Sequence, residues 1–192
     1  MIRIDNLRLR DFPGIYRIAV RPDFFYAFLN QNRRPPWSGT LRFMWLCFWT
    51  RWRRPRHWFK AVRTQTDGKL IGCVLILDLH VVEAGLGEIA YFIAAPEQGR
   101  GIGSTAVIST VRWACRHHGL RRLQAHVDPE NYASLSILKK LGFGEGRNLP
   151  SNKSQFFDRA GSPRPQFVLT CHEPDLTAAL GLLPPEQDYP VG

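Results

Sequence analysis

Three glycines at alternate positions, in Gln98-Gly-Arg-Gly-Ile-Gly103, constrain this chain more than any other feature. They separate two contrasting patterns. Residues 88–94 before them are strand formers, with Tyr91 and Phe92 at the centre, and Ala95-Pro96-Glu97 breaks the run. After them, Val107, Val111 and Ala114 recur at helical spacing, and Gly119 closes the pattern. Glycine at a strand-to-helix junction permits a tight turn and lets the backbone approach a ligand with no Cβ in the way. The N–H groups there converge on one spot, and the following helix adds the positive end of its dipole. Such a junction suits an anion, most naturally a phosphate.

Three phosphate ligands compete. A P-loop needs G-x-x-x-x-G-K-[ST], a string this chain lacks. A dinucleotide fingerprint can be written as Gly101-x-Gly103-x-x-Ala106, with Asp128 about 20 residues further on. That fingerprint follows its strand almost directly, whereas several residues intervene here, and the upstream chain reads as antiparallel hairpins. The third ligand is coenzyme A. Gln98-x-x-Gly101-x-Gly103 resembles the pyrophosphate loop of the GNAT acetyltransferase superfamily. Asn131-Tyr-Ala-Ser134-Leu-Ser-Ile-Leu-Lys-Lys140-Leu-Gly142-Phe143 is similar to that family's N-x-x-S-x-x-x-L-x-K-x-G-F segment. Either string alone is weak. Both in this order, with a helix and a strand between them, carry the resemblance over residues 68–145.

The resemblance implies an α/β (α+β) GNAT fold. Its mixed sheet of about seven strands splays at the cofactor site and is flanked by about four helices. The chain is expected to form one such domain over residues 1–172, followed by a loosely docked, proline-containing tail at 173–192. The resemblance further implies that acetyl-CoA is the cosubstrate. Its pyrophosphate would lie on Gln98, Gly99, Arg100, Gly101, Ile102, Gly103 and Ser104. Its pantetheine arm would run along the main chain of Phe92, Ile93 and Ala94, against Asn131. Asn131 is equally a helix N-cap after Pro129, and the two roles are compatible.

Acetyl transfer to an amine requires that the ammonium lose a proton and that the leaving thiolate be stabilised. Glu88 matches the acidic residue of G-E-I-G-Y-W-I in the ribosomal-protein alanine acetyltransferase branch, which makes it the candidate base. The alternative is a structural carboxylate paired with an arginine. Many GNAT enzymes carry a tyrosine acid at the place Leu138 occupies here, so that tyrosine is missing. Ser134 is the acid the alanine-acetyltransferase branch suggests, with Tyr132 a further candidate. His126, on the strand before Asn131, reads as a core histidine, with a position facing the cleft as the alternative. No cysteine stands in a nucleophile setting, which points to direct attack in a ternary complex.

Charge is unevenly distributed. Residues 1–63 hold 14 basic against three acidic residues, a net +11, whereas the remainder is net −1. Residues 33–63 hold nine basic residues, no acidic one, and five of the six tryptophans. Such asymmetry points to an anionic partner. In the GNAT family this region walls the acceptor site, so the acceptor amine is expected to carry a carboxylate or phosphate or to belong to an acidic peptide. About half of those tryptophans read as core. Nucleic acid or ribosome contact is a secondary expectation, without a recognised motif. Lying on a membrane surface and binding acyl-CoA without catalysis are the other readings.

Residues 1–10 lack the pattern of a signal peptide, and the longest apolar run, residues 43–49, is too short to span a bilayer. Cys47, Cys73, Cys115 and Cys171 are scattered, as expected of reduced thiols in the cytoplasm. The histidines and cysteines show no metal-ligand spacing, so no metal is expected.

Overall fold

The computed structural model describes residues 2–19, 41, 45, 57–78, 83–144, 146–149 and 166–181. Its strands are β1 (Ile2–Asn6), β2 (Trp58–Thr64), β3 (Leu70–Asp78), β4 (Leu86–Ile93), β5 (Arg122–Val127), β6 (Arg147–Leu149) and β7 (Gln166–Cys171). Its helices are α1 (Phe12–Ala19), α2 (Ile102–His118), α3 (Tyr132–Lys140) and α4 (Glu173–Leu180). One mixed sheet holds all seven strands in the order β1-β2-β3-β4-β5-β7-β6. Every neighbouring pair is antiparallel except β4 and β5. That pair is parallel because α2 carries the chain back across the sheet, the connection a parallel pair demands.

Strand alternation sorts the apolar residues onto two faces. Ile89, Tyr91 and Ile93 of β4 point to one face, with Leu123, Ala125 and Val127 of β5. Val107, Val111 and Ala114 of α2 and Leu138 of α3 cover them there. Ala90 and Phe92 point to the other face and join Phe59, Ala61, Leu75 and Ile15 of α1. β4 is therefore packed on both sides, which explains its nearly unbroken apolar run.

The alternation of residues 2–10 predicts a first strand over that whole run, and a further strand is predicted from Phe143. The ends of the chain's elements differ from the sequence reading in three places. β1 stops at Asn6, and a tight 3-10 turn follows at Leu9–Asp11, where Asp11 accepts the Arg8 N–H at 2.8 Å. The strand expected to begin at Phe143 lies at Arg147–Leu149 and pairs with β7. Residues 173–180, read as the start of a loose tail, form α4, whose Leu176 and Leu180 are only 1% and 2% exposed. Pro174 sits in the first turn of α4, where its missing N–H breaks no helical bond. Arg112 Nη2 donates to the Leu180 carbonyl at 2.9 Å and holds the other end of that helix to α2.

The apolar spacing of Leu41, Trp45, Phe48 and Trp52 predicts a helix over residues 40–54, which lies outside the described residues save for Leu41 and Trp45. Both are helical, and they are 49% and 58% exposed. Among the described residues, no helix is long and apolar enough to cross a membrane.

Candidate active site

The site begins where the sheet opens. β4 and β5 pair only at Leu86–Arg122, Gly87–Leu123 and Glu88–Gln124. Beyond that rung β4 stays with β3 as far as Ile93 opposite Gly72. β5 stays with β7 as far as Val127 opposite Phe167. The two strands part, and a gap opens between them with Glu88 at its closed end.

Main-chain direction decides which groups look into this gap. The Ala94 N–H donates to the Ile71 carbonyl on the β3 side, at 2.7 Å. Hydrogen-bonding direction alternates along a strand. Phe92 and Ala94 therefore spend their main-chain groups on β3, whereas Tyr91 and Ile93 turn theirs toward the gap. Of the three residues expected along a pantetheine arm, only Ile93 presents its backbone there, and Tyr91, absent from that expectation, joins it. Gln98 Nε2 donates to the Ile93 carbonyl at 2.8 Å, which ties the glycine loop to the end of β4.

Gly99 and Gly101 both have φ of 75°, a left-handed conformation that glycine adopts without strain. A Cβ at either would meet nothing within 4 Å, so the loop faces open space. Thr105 is the first residue of α2 whose N–H finds a helical acceptor, the Gly101 carbonyl at 3.1 Å. The N–H groups of Ile102, Gly103 and Ser104 thus have no intrahelical acceptor, as at any helix start. Gly103 plays a different part: a Cβ there would lie 3.3 Å from Ile137 of α3 and 3.6 Å from Ile93. It lets α2 begin close against both. Arg100, expected to meet phosphate, pairs with Glu97 at 2.6 Å and is exposed.

α3 closes the helix side of the gap. Asn131 caps it, with Oδ1 accepting the Ser134 N–H at 3.1 Å. Ser134 Oγ lies 2.8 Å from Tyr91 Oη, and the Ser134 carbonyl oxygen lies 3.3 Å from the same hydroxyl. Burial pushes the Tyr91 phenol up to about 12, opposed more weakly by the Ser134 hydrogen bond. Tyr91 is a neutral phenol at physiological pH.

Glu88 belongs to the opposite face. It shares the alternation of Ala90 and Phe92, whereas Tyr91 points to the helix side. Glu88 and Ser134 therefore flank the gap from its two sides. Register extends the Glu88 rung into a polar row, Glu88–Gln124–Thr170, across β4, β5 and β7. His126, on the same face of β5, is half-buried, with Nε2 3.4 Å from the Gln124 amide nitrogen. It is a member of this polar face rather than of the core. Gln124 and Thr170 were missed from the sequence, although the apolar–polar alternation of Leu123-Gln-Ala-His-Val127 marks Gln124 and His126 as a shared face.

Residues 2–144 match the acetyltransferase (GNAT) domain family. The chain belongs to the GNAT family. The probable N-acetyltransferase YjcK of Bacillus subtilis strain 168 is 30% identical to this GNAT chain over 124 residues, 65% of this chain and 63% of that protein. The match thus spans less than two thirds of that relative's length. The ribosomal-protein-S5-alanine acetyltransferase of Vibrio fischeri has a similar structure, with a TM-score of 0.72 at 19% identity over 91% of this chain and 94% of that one. The spermidine N-acetyltransferase of Vibrio cholerae, solved with CoA and spermine, gives a TM-score of 0.75 at 16% identity over 91% and 97%. The seven-stranded mixed sheet and its four described helices are the α/β GNAT fold that the resemblance implied.

Proposed function

We propose that this GNAT chain is an acetyl-CoA-dependent N-acetyltransferase that acetylates a primary amine by direct attack in a ternary complex. The observation that carries the proposal is the parting of β4 and β5 just beyond Glu88, with an open glycine loop at the mouth of the gap. Acetyl-CoA, when bound, supplies a thioester whose acyl carbon forms the new C–N bond as the C–S bond breaks. The space beside Gly99 and Gly101, with the N–H groups of Ile102, Gly103 and Ser104, suits a pyrophosphate. The main-chain groups of Tyr91 and Ile93 suit the amides of a pantetheine arm, bound as a strand is bound. Gln98 holds the loop in place rather than touching the ligand first. Asn131 shapes the start of α3 and borders the arm.

Glu88 removes the ammonium proton, directly or through one water, from the face that also carries Gln124, His126 and Thr170. Ser134 donates a hydrogen bond to the leaving thiolate from the other face. The acceptor is a peptide or protein N-terminus or a small-molecule amine. The basic character of residues 33–63 supports one that is anionic or part of an acidic peptide. The proposed compartment is the cytoplasm, supported by the scattered cysteines.

The test is thiol release from acetyl-CoA against two acceptor panels. One holds short peptides with varied N-termini, some acidic; the other holds amino acids, polyamines and amine antibiotics. Turnover on either supports the proposal and assigns the acceptor class. Tight acetyl-CoA binding with silence on both, unaltered by Glu88→Gln, would instead favour a binding module.

A further inference from the structure

We propose that Tyr91 is a positioning residue, whose phenol fixes the Ser134 hydroxyl so that the serine proton points into the gap between β4 and β5. The inference rests on the reading of Ser134 as the group that meets the departing sulfur.

Ser134 is held at three of its atoms. Asn131 Oδ1 takes its N–H at 3.1 Å, and Tyr91 Oη meets its Oγ at 2.8 Å and its carbonyl at 3.3 Å. The phenol has one proton and two acceptors in reach, Ser134 Oγ at 2.8 Å and the Ser134 carbonyl at 3.3 Å, and the second lies beyond the usual O–H···O range, so Oγ is the better acceptor. When the phenol donates, the serine proton is left for a third atom, and the gap is what lies beyond it. When serine donates instead, Oγ offers the gap only lone pairs, which repel a thiolate. Tyr91 alone can make this choice, because no other side chain meets Ser134 Oγ among the described contacts.

The chemistry fits hydrogen-bond donation and not a proton relay. A thiol ionises near 8.5, far below an aliphatic hydroxyl, so a thiolate does not strip the proton from Ser134. Burial keeps the Tyr91 proton in place as well. No proton changes owner along this pair. Its contribution is a fixed donor on the side of the gap away from Glu88. The amine's proton thus leaves toward one face while negative charge builds on sulfur toward the other. Tyr91 also turns its own main-chain groups into the gap, so the residue that lies along the pantetheine arm is the one that aims the donor.

The experiment uses CoA itself as the probe and needs no acceptor. The thiol of bound CoA is titrated by its thiolate absorbance in the wild-type protein, Tyr91→Phe, Ser134→Ala, the double variant and Asn131→Ala. A donor aimed at sulfur lowers the bound thiol's midpoint by about one pH unit relative to free CoA, the value of one ordinary hydrogen bond. Ser134→Ala removes that lowering, Tyr91→Phe removes most of it, and the double variant goes no further than Ser134→Ala. A cooperative melting transition in each variant serves as its fold control. A wild-type midpoint in Tyr91→Phe, or equal losses in Tyr91→Phe and Asn131→Ala, overturns the inference alone. A wild-type midpoint in Ser134→Ala overturns the reading of Ser134 beneath it. Failure of the wild-type protein to bind CoA overturns the donor assignment itself.

Discussion

Tyr91 Oη stands 2.8 Å from Ser134 Oγ, joining the gap-lining strand β4 to the first turn of α3 across 43 residues of sequence. Burial is the reason the ionisation of that phenol moves up to about 12 from 10.0.

That shift has a pH consequence. A phenol whose folded pKa lies above its unfolded one stabilises the fold fully below the unfolded value. The stabilisation is then lost as pH rises from 10 toward about 12. Urea unfolding between those limits should show the wild-type protein losing on the order of 2 kcal/mol more stability than Tyr91→Phe. Parallel curves for the two proteins would contradict the burial of the phenol.

Glu88→Gln keeps the shape and half-buried position of the side chain and removes the proton acceptor. Turnover should fall by about a hundredfold or more, the usual contribution of a general base. Acetyl-CoA affinity, measured by calorimetry, should stay near wild type, because the loop and strand contacts are elsewhere. A loss confined to affinity would assign Glu88 a structural part.

Two glycines of one loop should respond in opposite ways. Gly101→Asp places its side chain in open space but in the left-handed region, so the fold should lose only about 1 kcal/mol, while the carboxylate repels the pyrophosphate and acetyl-CoA binding is lost. Gly103→Leu places a larger side chain against Ile137 and Ile93, 3.3 and 3.6 Å from the added Cβ. Overpacking there should destabilise the fold by about 1–3 kcal/mol. Equal melting temperatures for the two variants would refute this division of labour.

Leu176 of α4 is 1% exposed and belongs to the same core cluster as Leu138 and Leu141. Leu176→Ala should destabilise by about 2–5 kcal/mol, as deletion of a buried leucine side chain generally does. Removal of residues 173–192 should cost at least as much. A truncated chain that melts with the full-length one would return this segment to the status of a tail.

The missed elements have identifiable causes. α4 is eight residues long, with Pro174 near its start and two leucines one turn apart as its apolar signal. A proline that is tolerated at a helix start looks, in a string of letters, like one that breaks a chain. The main-chain partners along the gap were shifted by one residue. Of the expected Phe92, Ile93 and Ala94 only Ile93 turns its main chain to the gap, and Tyr91 joins it, because the parity of a strand's hydrogen bonds depends on the register of its neighbour. Gln124 and Thr170 carry no motif. They become part of a site only when β5 and β7 lie beside Glu88.

What the sequence determined by itself is local. The glycine loop, the helix after it, the Asn131 cap and the alternation of β4 follow from φ/ψ preferences, capping chemistry and side-chain period, which act over a few residues. What the tertiary structure decided is which strand edges pair and where pairing stops. The opening of the gap at Glu88, the polar row beyond it and the bond from Tyr91 to Ser134 all follow from that choice. The reason is physical: register and closure are set by burying two faces of one sheet at once, and no single segment holds the information for both.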